Sequence, residues 1–203
     1  MLGLVGDPAA FEAAADHLAA GRAVVVPTET VYGLAVLAAV PGASDAVFAI
    51  KGRPVDVPLA VLVDSFEQAG ALVEQPSAAV ARLFDRLWPG PLTVVLRRRA
   101  GTGLELGGDG TTIGVRCPDH AFVRALARRL GPLAVTSANL HGEPTPHDAA
   151  GVASALGDRV AYVVDGGRCD GVASTVVDGT TDELRVLRAG PISAEDLALA
   201  ALP

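Results

Sequence analysis

Arg22-Ala23-Val24-Val25-Val26-Pro27-Thr28-Glu29-Thr30-Val31-Tyr32-Gly33-Leu34 is the stretch on which the fold turns. Its first half is a short β-branched run closed by a proline, which predicts a buried strand from Arg22 to Val26. Its second half sets Thr28, Glu29 and Thr30 directly at the end of that strand, where open α/β sheets hold their ligands. Upstream, Asp7-Pro8 and an alanine-rich run to Gly21 read as a helix with an N-cap, a proline in its first turn and a glycine stop.

The same alternation of signals continues downstream. Ser44 is positioned to cap a helix running through Val47, Phe48 and Ile50 to Lys51. Pro58 to Val63, Leu92 to Leu96, Thr112 to Arg116, Pro132 to Val135, Val160 to Val164, Ser174 to Val177 and Leu184 to Leu187 read as strands. Ser65 to Val73, Ser77 to Leu87 and Asp119 to Leu130 read as helices, and Ser193-Ala194-Glu195-Asp196 opens a last one with a capping-box pattern. Gly101 to Gly110 is a glycine-rich turn region. No repeat, linker or low-complexity tail interrupts the series, so residues 1–203 are expected to form a single α/β domain: a twisted mixed sheet of about seven or more strands covered by helices.

Composition narrows the function. At 203 residues roughly 70% of the unfolded chain's surface can be buried, and with 50% apolar but 4% aromatic residues the core must be built from Ala, Val and Leu. A net charge of −7 argues against a protein that coats nucleic acid, though not against a local basic cleft. Arg97-Arg98-Arg99 is too short a run to overturn that, and reads as a solvated strand end. Cys117 and Cys169 belong to no Cys-x-x-Cys pair and suit a reducing compartment, as small core residues. The N-terminus has no basic leader and no stretch approaches the ~18 apolar residues of a membrane helix, so a cytoplasmic protein without membrane contact is expected.

The familiar phosphate-loop, dinucleotide, zinc-protease and serine-hydrolase motifs are absent. His141 and His147 flank a proline-rich loop without a third ligand, so no metal bound by the protein is expected. Small polar and cationic residues remain, each at a strand end or in a loop: Thr28, Thr30, Lys51, Arg53, Thr112, Arg116, Ser137, Asn139, Ser174 and Arg188. Converging, they would make a site for a multiply anionic ligand such as nucleotide phosphates. Lys51 stands out because it is the only lysine beside fifteen arginines. A compact point charge is wanted there, not a planar fork.

These residues lie in ordered motifs: Pro27 to Leu34, Lys51-Gly52-Arg53-Pro54 with Pro58-Leu59, Trp88-Pro89-Gly90-Pro91-Leu92-Thr93, Val115-Arg116, Ser137-Ala138-Asn139, Ser174-Thr175-Val176 and Leu187-Arg188-Ala189-Gly190-Pro191. In order and spacing the set resembles the YrdC-like family over nearly the whole chain. The early end after the last motif is similar to the short, single-domain TsaC-type L-threonylcarbamoyladenylate synthases, which lack the extra C-terminal domain of longer relatives.

The resemblance implies a YrdC-like fold around a basic cleft. It also implies a reaction in which L-threonine, bicarbonate and ATP, as its Mg2+ complex, give threonylcarbamoyl-AMP and pyrophosphate for the threonylcarbamoyl adenosine of tRNA. The product would be handed to a tRNA-modifying complex. Carried over by motif, Arg53, Thr112, Ser137, Thr145 and Arg188 resemble ATP contacts, and Thr30, Arg116 and Ser174 resemble threonine contacts. Lys51, Arg53, Ser137 and Asn139 form the family's catalytic group, so Lys51→Arg should keep the fold and greatly reduce turnover. Relatives often carry Asn or another polar residue at Val57 and His at Leu62, which leaves room for altered amino-acid preference. The alternatives are a non-catalytic RNA-binding relative, and carbamoyl transfer of the kind seen where a YrdC-like domain is fused to others.

Overall fold

The computed structural model describes residues 1–169 and 171–203. Ten strands form one mixed sheet, β1 (Leu2–Leu4), β2 (Val24–Val26), β3 (Gly33–Leu37), β4 (Ala60–Leu62), β5 (Leu92–Arg97), β6 (Thr112–Arg116), β7 (Leu133–Ser137), β8 (Tyr162–Asp165), β9 (Thr175–Asp178) and β10 (Arg185–Arg188). Seven α-helices accompany them: α1 (Pro8–Ala19), α2 (Ala43–Lys51), α3 (Phe66–Gly70), α4 (Ala78–Leu87), α5 (Ala121–Leu130), α6 (Ala149–Leu156) and α7 (Ala194–Ala201). The spatial order is β1-β8-β2-β3-β7-β4-β6-β5-β9-β10. The pairs β1–β8, β2–β8, β4–β6 and β5–β9 are parallel, and the other five are antiparallel.

Strand alternation divides the buried side chains between the two faces of the sheet. Val25, Leu34, Val36, Val61, Ala134, Val94, Leu96, Ile113 and Val115 belong to one core, closed by α2, α3, α4, α6 and α7. Val24, Val26, Ala35, Leu37, Leu62, Leu133, Val135 and Val164 belong to the other, closed by α1 and α5 alone. Those two helices lie over the β8-β2-β3-β7 half of the sheet. On the same face of β5 and β6 the alternate residues are Thr93 and Val95, and Thr112, Gly114 and Arg116. Among the described residues, no helix covers them.

Most expected elements are present, with differences that have local causes. The strand expected from Pro58 to Val63 narrows to Ala60–Leu62, and the helix expected from Ser65 to Val73 is α3, only five residues long. It stops early because Val73 bridges to Arg98 instead. The helix expected to be capped by Ser44 begins at Ala43, with Gly42 in the left-handed region as its N-cap, so Ser44 is buried inside it. The strands β1 and β3 and the helix α6 were not expected from the sequence. β3 doubles back from the Thr28–Tyr32 turn as a hairpin on β2, pairing Val24 with Ala35. Its glycine is required, because a Cβ on Gly33 would stand 2.8 Å from Val135 Cγ2. α6 carries a plain start signal, with Asp148 Oδ1 accepting from Gly151 N at 2.8 Å.

At the other end, α7 docks on α4 through arginines that fill its open carbonyls. Arg82 Nε donates to Ala201 O (2.7 Å), and Arg86 Nη1 donates to the carbonyls of Leu199, Ala200 and Leu202. Among the described residues, no helix is long and apolar enough to cross a membrane. Cys117 and Cys169 are both buried, and burial pushes the Cys117 thiol up to about 11.

Candidate active site

A cavity of about 430 Å³ opens on the bare half of the sheet. Ala60, Thr93, Val95, Gly114 and Val176 form its floor, and Arg53, Arg116 and Arg188 stand round it with Thr28, Thr112, Ser137 and Ser174. Gly114 keeps the floor flat. A Cβ there would rise between Thr93 Cγ2 (3.4 Å) and Ala60 Cβ (3.9 Å), at ordinary contact distances.

Each arginine is held from behind by the backbone. Arg53 Nε donates to Val57 O (3.0 Å) and its Nη2 to Pro58 O (3.2 Å). Arg188 Nε and Nη2 both donate to Ser174 O (3.1 and 2.9 Å), and Nη2 also reaches Ser174 Oγ at 3.1 Å. Arg116, at the end of β6, donates from Nε to Gly90 O (3.1 Å) and from Nη1 to Thr30 Oγ1 (3.0 Å). Its Nη2 stands 2.8 Å from Glu29 Oε2, charge against charge, without the alignment of a hydrogen bond. Three guanidinium groups thus face one space whose lining, among the described residues, includes no Asp or Glu. Burial, then the charges of Arg116 and Arg53, pull Arg188 below the usual guanidinium range, and burial does the same to Arg53. An anion in the cavity would relieve that repulsion.

The fixed position of Arg188 has a steric cause. Gly190 lets the chain after β10 lie flat on β9, where a Cβ would come within 2.3 Å of Thr175 N. Thr175 Oγ1 then accepts from Ile192 N and donates to Ile192 O, both at 3.0 Å.

Seven of the ten residues singled out in the sequence line the cavity: Thr28, Arg53, Thr112, Arg116, Ser137, Ser174 and Arg188. The other three stand behind them. Thr30 is buried between Arg116 and Thr28, its hydroxyl oxygen 2.9 Å from that of Thr28. Thr28 Oγ1 in turn donates to Val31 O at 2.6 Å, so the turn between β2 and β3 is braced internally.

Lys51, 4% exposed, does not reach the cavity wall. Its Nζ donates to Ser137 O (2.8 Å), Ser137 Oγ (3.2 Å), Asn139 O (3.0 Å) and Asn139 Oδ1 (2.9 Å). Asn139 Oδ1 also accepts from Thr145 Oγ1 at 3.1 Å. Burial, with a smaller push from Arg53, lowers the Lys51 ammonium to about 8. The lysine therefore ties the end of α2 to the loop after β7 and sets where Ser137 sits.

Thr93, Gly114 and Glu29 belong to the site without having been singled out. Thr93 had a legible signal, a hydroxyl between core residues Leu92 and Val94 on an alternating strand. Glu29 had only its place at the strand end as a signal, because its partner Arg116 lies 87 residues on.

A family model for Sua5, YciO and YrdC proteins, described as telomere recombination, matches residues 16–190. The chain belongs to the Sua5/YciO/YrdC family. A Mycobacterium tuberculosis member is 41% identical over 180 residues, 88% of this chain and 83% of its own. The threonylcarbamoyl-AMP synthase of Bacillus subtilis is 39% identical over 200 residues, 94% of this chain and 56% of its own. The crystal structure of Pyrococcus abyssi Sua5 complexed with L-threonine superposes with a TM-score of 0.88 at 34% identity, covering 98% of this chain and 60% of that one. The chain thus spans about three-fifths of the longer members, and its fold is that of the Sua5/YciO/YrdC family.

Proposed function

We propose that this protein is a threonylcarbamoyl-AMP synthase that joins L-threonine, bicarbonate and ATP into threonylcarbamoyl-AMP and pyrophosphate. The convergence of Arg53, Arg116 and Arg188 on one cavity, with no lining carboxylate among the described residues, carries the proposal. In the reaction the threonine amine and bicarbonate give a carbamate with loss of water. A carbamate oxygen attacks the α-phosphorus of ATP, and pyrophosphate leaves. Two anions must meet, and fixed cations lower the cost of bringing them together. No covalent nucleophile on the enzyme is needed; positioning supplies most of the rate.

Arg116 is assigned to the threonine carboxylate, with Thr30 bracing it and Ser174 beside it. Arg53, Arg188, Thr112 and Ser137 are assigned to the nucleotide. Lys51, Asn139 and Thr145 act on Ser137 and its loop. Mg2+ arrives as part of the nucleotide substrate, coordinated by its phosphates. The product, an activated mixed anhydride, would pass to a tRNA-modifying complex in the cytoplasm. The test is pyrophosphate release from Mg-ATP that requires both L-threonine and bicarbonate. Release equal to a protein-free control would sink the proposal.

A further inference from the structure

Thr93 and Ser174 face each other at the edge of the cavity, on the paired strand β5 and immediately before β9, with Thr93 Oγ1 and Ser174 Oγ 2.8 Å apart. Both side chains line the cavity, and both residues are buried from bulk solvent. Ser174 Oγ also accepts a hydrogen bond from Arg188 Nη2 at 3.1 Å. Arg188 cannot serve as an acceptor, so the direction of that bond is fixed.

Each hydroxyl has one proton and two lone pairs. One of the two protons lies between the oxygens, and the other is left over. If Ser174 donated to Thr93, the spare proton would sit on Thr93, and a Ser174 lone pair would be left facing the cavity, where it repels an anion. If Thr93 donates, both Ser174 lone pairs are filled, one by Arg188 and one by Thr93. Ser174 can then only donate. A carboxylate is an acceptor-only group, and an O–H held as a donor is what it requires.

We infer that Thr93 is a positioning residue: its hydroxyl donates to Ser174 Oγ and so commits the Ser174 proton to the carboxylate of the bound amino acid. The inference rests on the proposed activity, which assigns Ser174 to the threonine subsite. It also gives the Thr93-Ser174-Arg188 chain a linking role, because Arg188 belongs to the nucleotide side. Arg188 spends Nε and Nη2 on Ser174, and Nη1 has no protein partner among the described residues. One guanidinium can therefore orient the amino-acid subsite and still meet a phosphate.

The test uses Thr93→Val, which keeps the shape and removes the hydroxyl, and Thr93→Ser, which keeps the hydroxyl. L-threonine and L-threoninamide are titrated into the parent and both variants, with melting temperatures recorded alongside. Thr93→Val is expected to weaken L-threonine about tenfold, as for one hydrogen bond to a charged group. Thr93→Ser should restore binding to within about twofold of the parent. Threoninamide, whose carboxamide is uncharged and able both to donate and to accept, should bind the parent and both variants alike, and the KM for ATP should not move. Parent-like binding of L-threonine by Thr93→Val overturns the inference. So does an equal loss in Thr93→Ser, or an equal loss for threoninamide, either of which would reduce the residue to packing. A parent that binds no L-threonine would remove the proposed activity and the inference together, whereas a parent that binds it and a valine variant that matches it would remove the inference alone.

Discussion

One face of this sheet is treated in two ways. Over β8, β2 and the ends of β3 and β7 away from the cavity, the residues on it are Val24, Val26, Ala35, Leu37, Leu133 and Val164, sealed by Leu18 of α1 and Phe122, Val123 and Leu126 of α5. Over β6 and β5 the same face presents Thr112, Gly114, Arg116, Thr93 and Val95 to a cavity. The opposite face of β5 and β6 stays apolar, with Val94, Leu96, Ile113 and Val115 in the other core. The strands are therefore anchored from below while their upper side is free of packing duties. Where no helix among the described residues covers the sheet, a core position becomes a cavity-lining position.

Filling the bare half should have the largest effect. Gly114→Val puts a branched side chain in the middle of the cavity floor, at a backbone position with no left-handed strain and with ordinary contact distances for its Cβ. Folding should survive. ATP- and threonine-dependent pyrophosphate release should fall by about a thousandfold or more, because a displacement of about 1 Å already costs a hundredfold where reactants must be aligned. A variant that folds and turns over as the parent does would show that the floor is not where substrates lie. The covered half predicts the opposite pattern. Leu126→Ala, at a fully buried position of α5, should cost about 2–5 kcal/mol in urea unfolding. Its threonine and nucleotide affinities should match the parent's below the unfolding transition.

The contrast also explains what could be read in advance. Apart from β3, the covered half was legible because β2 and β8 carry β-branched runs and its helices carry a cap at Asp7 and stops at Gly21 and Gly131. The site was legible as a set of residue types at strand ends, and as motifs in order. Its layering was not. Nothing local distinguishes Ser137, which faces the cavity, from Asn139 two residues on, which lies behind it holding Thr145 and Lys51. β3 was missed because its glycine and alanine answer to the neighbouring Val135 and not to strand propensity. The short edge strand β1, exposed and only three residues long, owes its place to its pairing with β8, 161 residues away.

Lys51 lies under the boundary between the two halves, and it sharpens the comparison. Its four oxygen partners come from two residues, so the ammonium acts as a knot inside the protein. Lys51→Arg keeps the charge, yet a longer planar fork cannot reach four oxygens clustered about one point. Pyrophosphate release should drop about thirtyfold, chiefly in kcat, as Ser137 loses its position by a fraction of an ångström. Parent-like kcat in that variant would mean that the geometry of the knot is unimportant.

The smallest effect is a pH dependence that runs in opposite directions for stability and for binding. Burial holds Lys51 at about 8, against 10.5 in the unfolded chain. Between those values the unfolded chain keeps a proton that the folded one has lost, so this group's contribution to stability rises with pH across the window; below about 8 the penalty for burying the charge is present in full. Binding should fall over the same range. A neutral amine has two N–H donors and a lone pair, and four oxygens then crowd a group that can satisfy only two of them. ATP affinity should therefore weaken about threefold to tenfold above pH 8, where nucleotide phosphates are already fully ionised and cannot be the cause. Bound phosphates favour the charged lysine, so the midpoint should move upward at saturating ATP. In Lys51→Met the affinity should be lower at neutral pH and flat above it. An alkaline limb that persists in that variant would assign the titration to another group and leave Lys51 as a permanently charged tie.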